Sequence, residues 1–202
     1  MHAGLYLSTF VLLLTGVALL GEGIRALEDA FGGHAATALR HRLLGAAVAG
    51  AALLAALVRP RAAGRFLAES LRFRRNELAW FRRYPAFLLR PSRNPPARHD
   101  GHFDPGQRVF NLLVLASLAA LTATGVLMWF PRAFVPAVFG WSLRIHRLAT
   151  WVLVGAVAGH LLVASGVLPA YRGAWRAMHR GGRVPRELAA RLWPRWAEEE
   201  GG

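Results

Sequence analysis

The chain has 202 residues, 54% of them hydrophobic, with 25 basic against 11 acidic side chains, a formal net charge of +14 and no lysine among the basic residues. In a soluble domain this balance points to nucleic acid, but here charge and apolar runs are segregated along the chain, which is the pattern of a membrane protein with no nucleic-acid partner. The absence of cysteine excludes disulfides, thiolate-held iron–sulfur clusters and zinc sites, and covalently attached c-type haem.

A bilayer core ~30 Å thick asks for about 20 largely apolar residues in helix, and four stretches qualify. The first, at about 1–22, is built on LYLSTFVLLLTGVALL (Leu5 to Leu20). No basic region precedes it and no small-residue cleavage site follows it, so it is expected to remain as a helix rather than be removed as a signal. The second, at about 40–59, is built on LLGAAVAGAALLAALV (Leu43 to Val58). The third, at about 107–130, contains VFNLLVLASLAALTATGVLMWF, and the fourth, at about 143–168, contains LRIHRLATWVLVGAVAGHLLVASG.

A long link, 60–106, joins the second and third stretches. Phe66, Leu67, Leu71, Leu78, Trp80 and Phe81 recur among its arginines at a spacing that predicts an amphipathic segment on the anionic inner leaflet. PSRNPPARHDGHFDPGQ follows as a Pro/Gly turn region. In the tail, 169–202, VPRELAARLWPRW predicts a short surface helix opened by Pro185 and ended near Pro194.

Arginine sets the orientation. The link between the first two stretches has Arg25 and Arg40 against Glu22, Glu28 and Asp29, and the link between the last two has only Arg132 and Arg144. The long link counted from Arg59 has eleven arginines and the tail seven. The positive-inside rule therefore puts the long link and both termini in the cytoplasm. The expectation is an all-α integral membrane four-helix bundle in one domain, 1–202, with cytoplasmic N and C termini and amphipathic cytoplasmic segments. A faint repeat pairs LRHRLLGAAVAG with LRIHRLATWVLVGAVAG, and LLLTGV with LTATGV, as two similar hairpins would.

An ionisable side chain inside a membrane helix is costly and points to function. Four of the eight histidines lie in or at the helices: His2, His41, His146 and His160. The last two, fourteen residues apart, lie on nearly one helix face and about 21 Å apart along its axis. By depth, His41 pairs with His146 near the outer side and His2 with His160 near the inner side. Paired neutral imidazoles are axial ligands of haem iron, here non-covalent b-type haem. Zinc transport would bring carboxylates into the membrane, and the apolar runs of these stretches have none. Gly16, Gly45 and Gly125 leave room for a porphyrin, or serve close helix packing. Arg40, Arg42, Arg144 and Arg147 suit haem propionates, or anchor helix ends at the interface. His34 and His179 read as solvated, and His99 and His102 as parts of a solvated turn.

With these elements in place, the chain resembles the di-haem cytochrome b (gamma) subunits of membrane-bound formate dehydrogenases, a group related to the cytochrome b subunits of nickel–iron hydrogenases and thiosulfate reductases. The resemblance rests on the His146/His160 spacing, the His2 to His41 separation, FDPGQR before the third helix, and MHRGGRVPRELAARLWPRW at the end. It implies two b-type haems on the same two histidine pairs, with quinone as electron acceptor near Asp104, Gly106 and Gln107, beside His160. It also implies an iron–sulfur (beta) subunit as electron donor, a catalytic molybdenum or tungsten (alpha) subunit carrying the substrate chemistry, and the bacterial inner membrane as location. No residue of this chain is expected to act on substrate as a catalyst. Two positions depart from the family: Ala3 follows His2 where an aromatic is usual, and Asp104 stands where asparagine is common. From sequence alone Asp104 serves equally as a helix cap. A hydrogenase, thiosulfate reductase or free-standing quinone oxidoreductase subunit is the alternative within this class; a haem-free anchor is the alternative outside it.

Overall fold

The computed structural model describes residues 2–20, 25–73, 77–95, 99, 103–179, 183–193 and 197, with the backbone alone at 2, 3, 5, 6 and 177–179. His102, Pro194 and the side chains of His2 and His179 lie outside the described residues. Among the described residues the regular structure is helical, with no strand: α1 (His2–Ala18), α2 (Arg25–Ala30), α3 (His34–Val58), α4 (Pro60–Ser70), α5 (Glu77–Leu89), α6 (Pro105–Trp129), α7 (Pro136–Ala164), α8 (Ala174–His179) and α9 (Arg186–Leu192). Three of these, α3, α6 and α7, are long and apolar enough to cross a membrane. The apolar part of α1, Leu7–Ala18, is shorter; its 17 residues reach about 25 Å at the usual helical rise.

Two helices begin well before the apolar runs that predict them. α3 starts at His34 and α7 at Pro136, because His34 and Thr37 open α3, and Pro136 and Gly140 interrupt the apolar pattern at the start of α7. Pro136 suits a first helical position, where no backbone N–H is needed. α7 stops at Ala164, short of the expected 168. Gly166 follows at φ 76°, a left-handed conformation that glycine adopts freely and that ends helices. A Cβ there would stand 3.1 Å from the Tyr171 carbonyl oxygen.

The chain forms two compact units, Met1–Ala62 with Ala116–Trp151 and Ala63–Leu115 with Val152–Gly202. In the first, α1 packs along α3 and α2 touches both. Gly32 and Gly33, at φ 79° and 86°, turn the chain from α2 into α3. The Thr37 hydroxyl donates to the Gly33 carbonyl at 2.8 Å, and the Arg40 guanidinium donates to the Phe31 carbonyl. The interior of this unit is small and polar: Thr15, Thr37, Ser117, Thr124 and Ser142 are buried, while Leu53, Leu54, Leu57 and Val58 are more than 60% exposed. Water would reject that surface; lipid does not, and small polar residues let membrane helices approach closely.

The second unit has a more conventional core. Phe87 of α5, Ala170 and Tyr171 of a 3₁₀ turn, and Leu188 and Leu192 of α9 are buried together. The tail helix lies at the surface with Arg186, Glu187 and Ala190 exposed, while its other face, Leu188, Ala189 and Leu192, is packed on the core. The link segment is two helices, α4 and α5, and Trp80, expected on an amphipathic surface, is buried and stacked on Tyr84 at 4.1 Å.

Candidate functional site

Within the first unit, α3 and α7 bring His41 and His146 together edge-on, their ring centroids 6.2 Å apart and their planes inclined by 65°. Each ring is held from behind by a threonine. His41 Nδ1 lies 2.9 Å from Thr15 Oγ1 on α1, and His146 Nδ1 lies 2.8 Å from Thr124 Oγ1 on α6. The threonine hydroxyls donate to carbonyls one turn back, Thr15 to Val11 at 2.7 Å and Thr124 to Ala120 at 2.6 Å. A hydroxyl has one proton and two lone pairs, so with its proton on the carbonyl it accepts from the ring.

Gly16 leaves room for the imidazole: a Cβ there would stand 3.3 Å from His41 Cε1, whereas one on Gly125 would make ordinary contact with His146 Cε1 at 3.8 Å. Gly45 faces Leu12 instead, at 3.9 Å. Of the flanking arginines, Arg40 serves the α2–α3 turn, and Arg144 lies over the Trp141 ring at 5.0 Å. The threonines were absent from the sequence-based site; their trace was the shared Thr-Gly in LLLTGV and LTATGV.

In the second unit, His160 stacks on Phe110 of α6, centroids 4.3 Å apart; its expected partner, the His2 side chain, is outside the described residues. The turn opening α6 is a cap: Asp104 Oδ1 accepts from the Gln107 backbone N–H at 2.8 Å, and Pro105 fills the first helical position. Burial pushes the Asp104 carboxyl above the ordinary carboxylate range, opposed by the Gln107 N–H and more weakly by His99. The Gln107 side-chain amide donates to Asn111 Oδ1 at 2.8 Å, and Asn111 donates to Ser70 Oγ at 3.0 Å. Gly106 lies under Trp80, where a Cβ would come within 2.9 Å of Cη2. One turn further, Arg108 meets Glu77 at 2.5 Å, both buried, a pair not anticipated from sequence although a lone arginine at the start of an apolar helix signals one. His99, expected in a solvated turn, has both ring nitrogens buried.

Apolar helices of membrane-crossing length and a histidine pair held between them define a membrane protein of the cytochrome b kind. The model of the family described as prokaryotic cytochrome b561 matches residues 1–181, and the chain belongs to that family. It is similar to the cytochrome b556(Fdn) subunit of the nitrate-inducible formate dehydrogenase of Escherichia coli K12, and to the same subunit in Escherichia coli O157:H7 and Shigella flexneri, at 30% identity over 102 residues. Each alignment takes in 49% of this chain and 45% of the relative, so the chain spans less than half the length of the curated relatives it matches.

The family implies b-type haem, and the histidine pair fits it. An imidazole nitrogen bonds a transition metal at about 2 Å and lies roughly one further ångström from its ring centroid, so two rings on one metal stand roughly 6 Å apart, close to the 6.2 Å of His41 and His146.

Proposed function

We propose that this protein is the membrane-anchoring di-haem b subunit of a respiratory formate dehydrogenase, carrying electrons from an iron–sulfur partner subunit to quinone in the bacterial inner membrane. The observation that carries the reading is the His41/His146 pair: two imidazoles at ligand spacing, each with Nδ1 on a threonine and Nε2 left for iron. The second pair in this reading is His160 with His2. A b haem supplies one-electron transfer at its iron. Four helices, α1, α3, α6 and α7, cross the membrane, with both termini and the long arginine-rich link in the cytoplasm.

Quinone is the substrate at the start of α6. There Gln107 keeps one amide N–H beyond the one given to Asn111, available to a quinone carbonyl. Burial shifts the Asp104 carboxyl toward its protonated form at the same turn, and Gly106 keeps the backbone low beneath Trp80. Formate oxidation belongs to partner subunits, a molybdenum or tungsten subunit and its iron–sulfur companion, since this chain has no thiolate for a cluster.

A reduced-minus-oxidised spectrum and a haem-to-protein ratio of the purified chain test the reading. A b-type band with two haems per chain is expected, falling to one in His146→Ala. A spectrum without a b-type band overturns it, and co-purification with a hydrogenase or thiosulfate reductase in place of formate dehydrogenase overturns the choice of partner.

A further inference from the structure

The two hairpins α1–α3 and α6–α7 carry the same device. In each, a Thr-Gly step on the first helix faces a histidine on the second: Thr15-Gly16 toward His41, and Thr124-Gly125 toward His146. Both threonines are buried, and both send their hydroxyl proton to the carbonyl four residues back. The directions of these bonds determine the ring. With the hydroxyl proton used, the oxygen accepts, so Nδ1 of each histidine is the protonated nitrogen and Nε2 keeps its lone pair. The hydrogen bond from hydroxyl to carbonyl also makes the oxygen a better acceptor, since bonds in a chain polarise one another.

We propose that Thr15 and Thr124 are matched positioning residues that hold His41 and His146 in the Nδ1–H tautomer and raise the donor strength of both Nε2 atoms toward one shared iron. This rests on the haem reading above and deepens it. A ligating imidazole whose other nitrogen gives its proton to an acceptor is the more basic ligand. It favours the more highly charged oxidised iron, and so lowers the midpoint potential. Two such bonds on one iron act in the same direction, which places the threonines among the residues that set the potential of the outer haem.

The test uses the full-length chain, purified in detergent with its haem, and the variants Thr15→Val, Thr124→Val and the pair, beside Thr15→Ser and Thr124→Ser. Valine keeps the shape and removes the hydroxyl acceptor, leaving at His41 the Leu12 backbone carbonyl; serine keeps the hydroxyl. Redox titration is expected to show one of the two haems moving to a more positive midpoint in each valine variant, further in the double variant, and returning toward the parent value with serine. The other haem stays in place. Unchanged midpoints in both valine variants, in a chain whose His146→Ala form loses one haem, overturn the proposal and leave the ligand pair standing. Haem loss in the valine variants that serine does not restore also overturns it, because packing then explains the effect. A parent chain without a b-type band overturns the haem reading and this inference together.

Discussion

Arg108 and Glu77 meet at 2.5 Å with both side chains withdrawn from water, the arginine 0% and the glutamate 6% exposed. The guanidinium also donates to the Arg72 carbonyl, so the pair ties the start of α6 to the start of α5 and to the end of the α4 segment. Removing one partner of a buried pair strands the other charge, which costs about 3–5 kcal/mol, whereas replacing both by apolar residues of similar volume is often neutral. Glu77→Gln is expected to destabilise the protein by that amount in a denaturant titration. Glu77→Leu combined with Arg108→Met is expected to recover most of it. Equal losses in the single and double variants would refute the account.

The raised Asp104 carboxyl makes a pH-dependent contribution with a definite sign. Burial is the main cause and favours the protonated form. A group whose folded pKa lies above its unfolded value contributes stability that is fully present below the unfolded value and is lost as pH rises through the folded one. Asp104→Asn keeps an oxygen for the Gln107 N–H and does not titrate. From acid toward neutral pH, the parent is therefore expected to lose stability relative to Asp104→Asn, measured by thermal unfolding at a series of pH values. A flat difference, or one of opposite slope, would show that the cap is ionised throughout.

Tyr84 donates its hydroxyl to Tyr171 at 3.1 Å inside the second unit. Burial pushes Tyr84 up to about 12 and Tyr171 higher still. Their contribution to stability is complete below about 10, where a free tyrosine titrates, and is lost as pH climbs through about 12. Alkaline titration followed by tyrosinate absorbance and by circular dichroism is expected to show these two phenols ionising only as the α5–α9 core opens. Ionisation of every tyrosine near 10 with the helices intact would contradict the burial.

Two glycines in the second unit predict opposite responses to the same change. Gly106→Ala places a methyl 2.9 Å from Trp80 Cη2 and 3.2 Å from Asp104 Oδ1, so the ring or the cap must move, a strain of about 1–3 kcal/mol. Gly64→Ala, inside α4, meets nothing within 4 Å and gains about 0.5–1 kcal/mol from helix propensity. Thermal stability of the two variants is expected to fall and to rise respectively; the same sign for both would break the argument.

Much of the helical plan was legible because it is written in hydropathy. The apolar runs mark α1, α3, α6 and α7, and the fourteen-residue spacing of His146 and His160 stands out against them. His41 and His146, which share a depth in the predicted helices, have their rings 6.2 Å apart. Helix starts were less legible, since α3 opens on His34 and Thr37, and Pro136 and Gly140 break the apolar pattern where α7 begins. Thr15 and Thr124 were hidden for a different reason: a small residue in an apolar helix looks like packing until the histidine behind it is located. What the apolar face of α9 packs against was not legible either, because Phe87, which covers it, is contributed by a segment remote from it in the chain.

The bracket around His41 and His146 also has a timetable. Its first half, Thr15 with His41, leaves the ribosome about a hundred residues before its second, Thr124 with His146. At about 5–20 residues per second, that is an interval of about 5 to 20 s. During it one imidazole is already backed by its threonine and has no ring opposite. Synthesis of the last long helix is therefore the event that brings the second ring to the first, and under the proposed haem reading any factor that loads the site must wait for it.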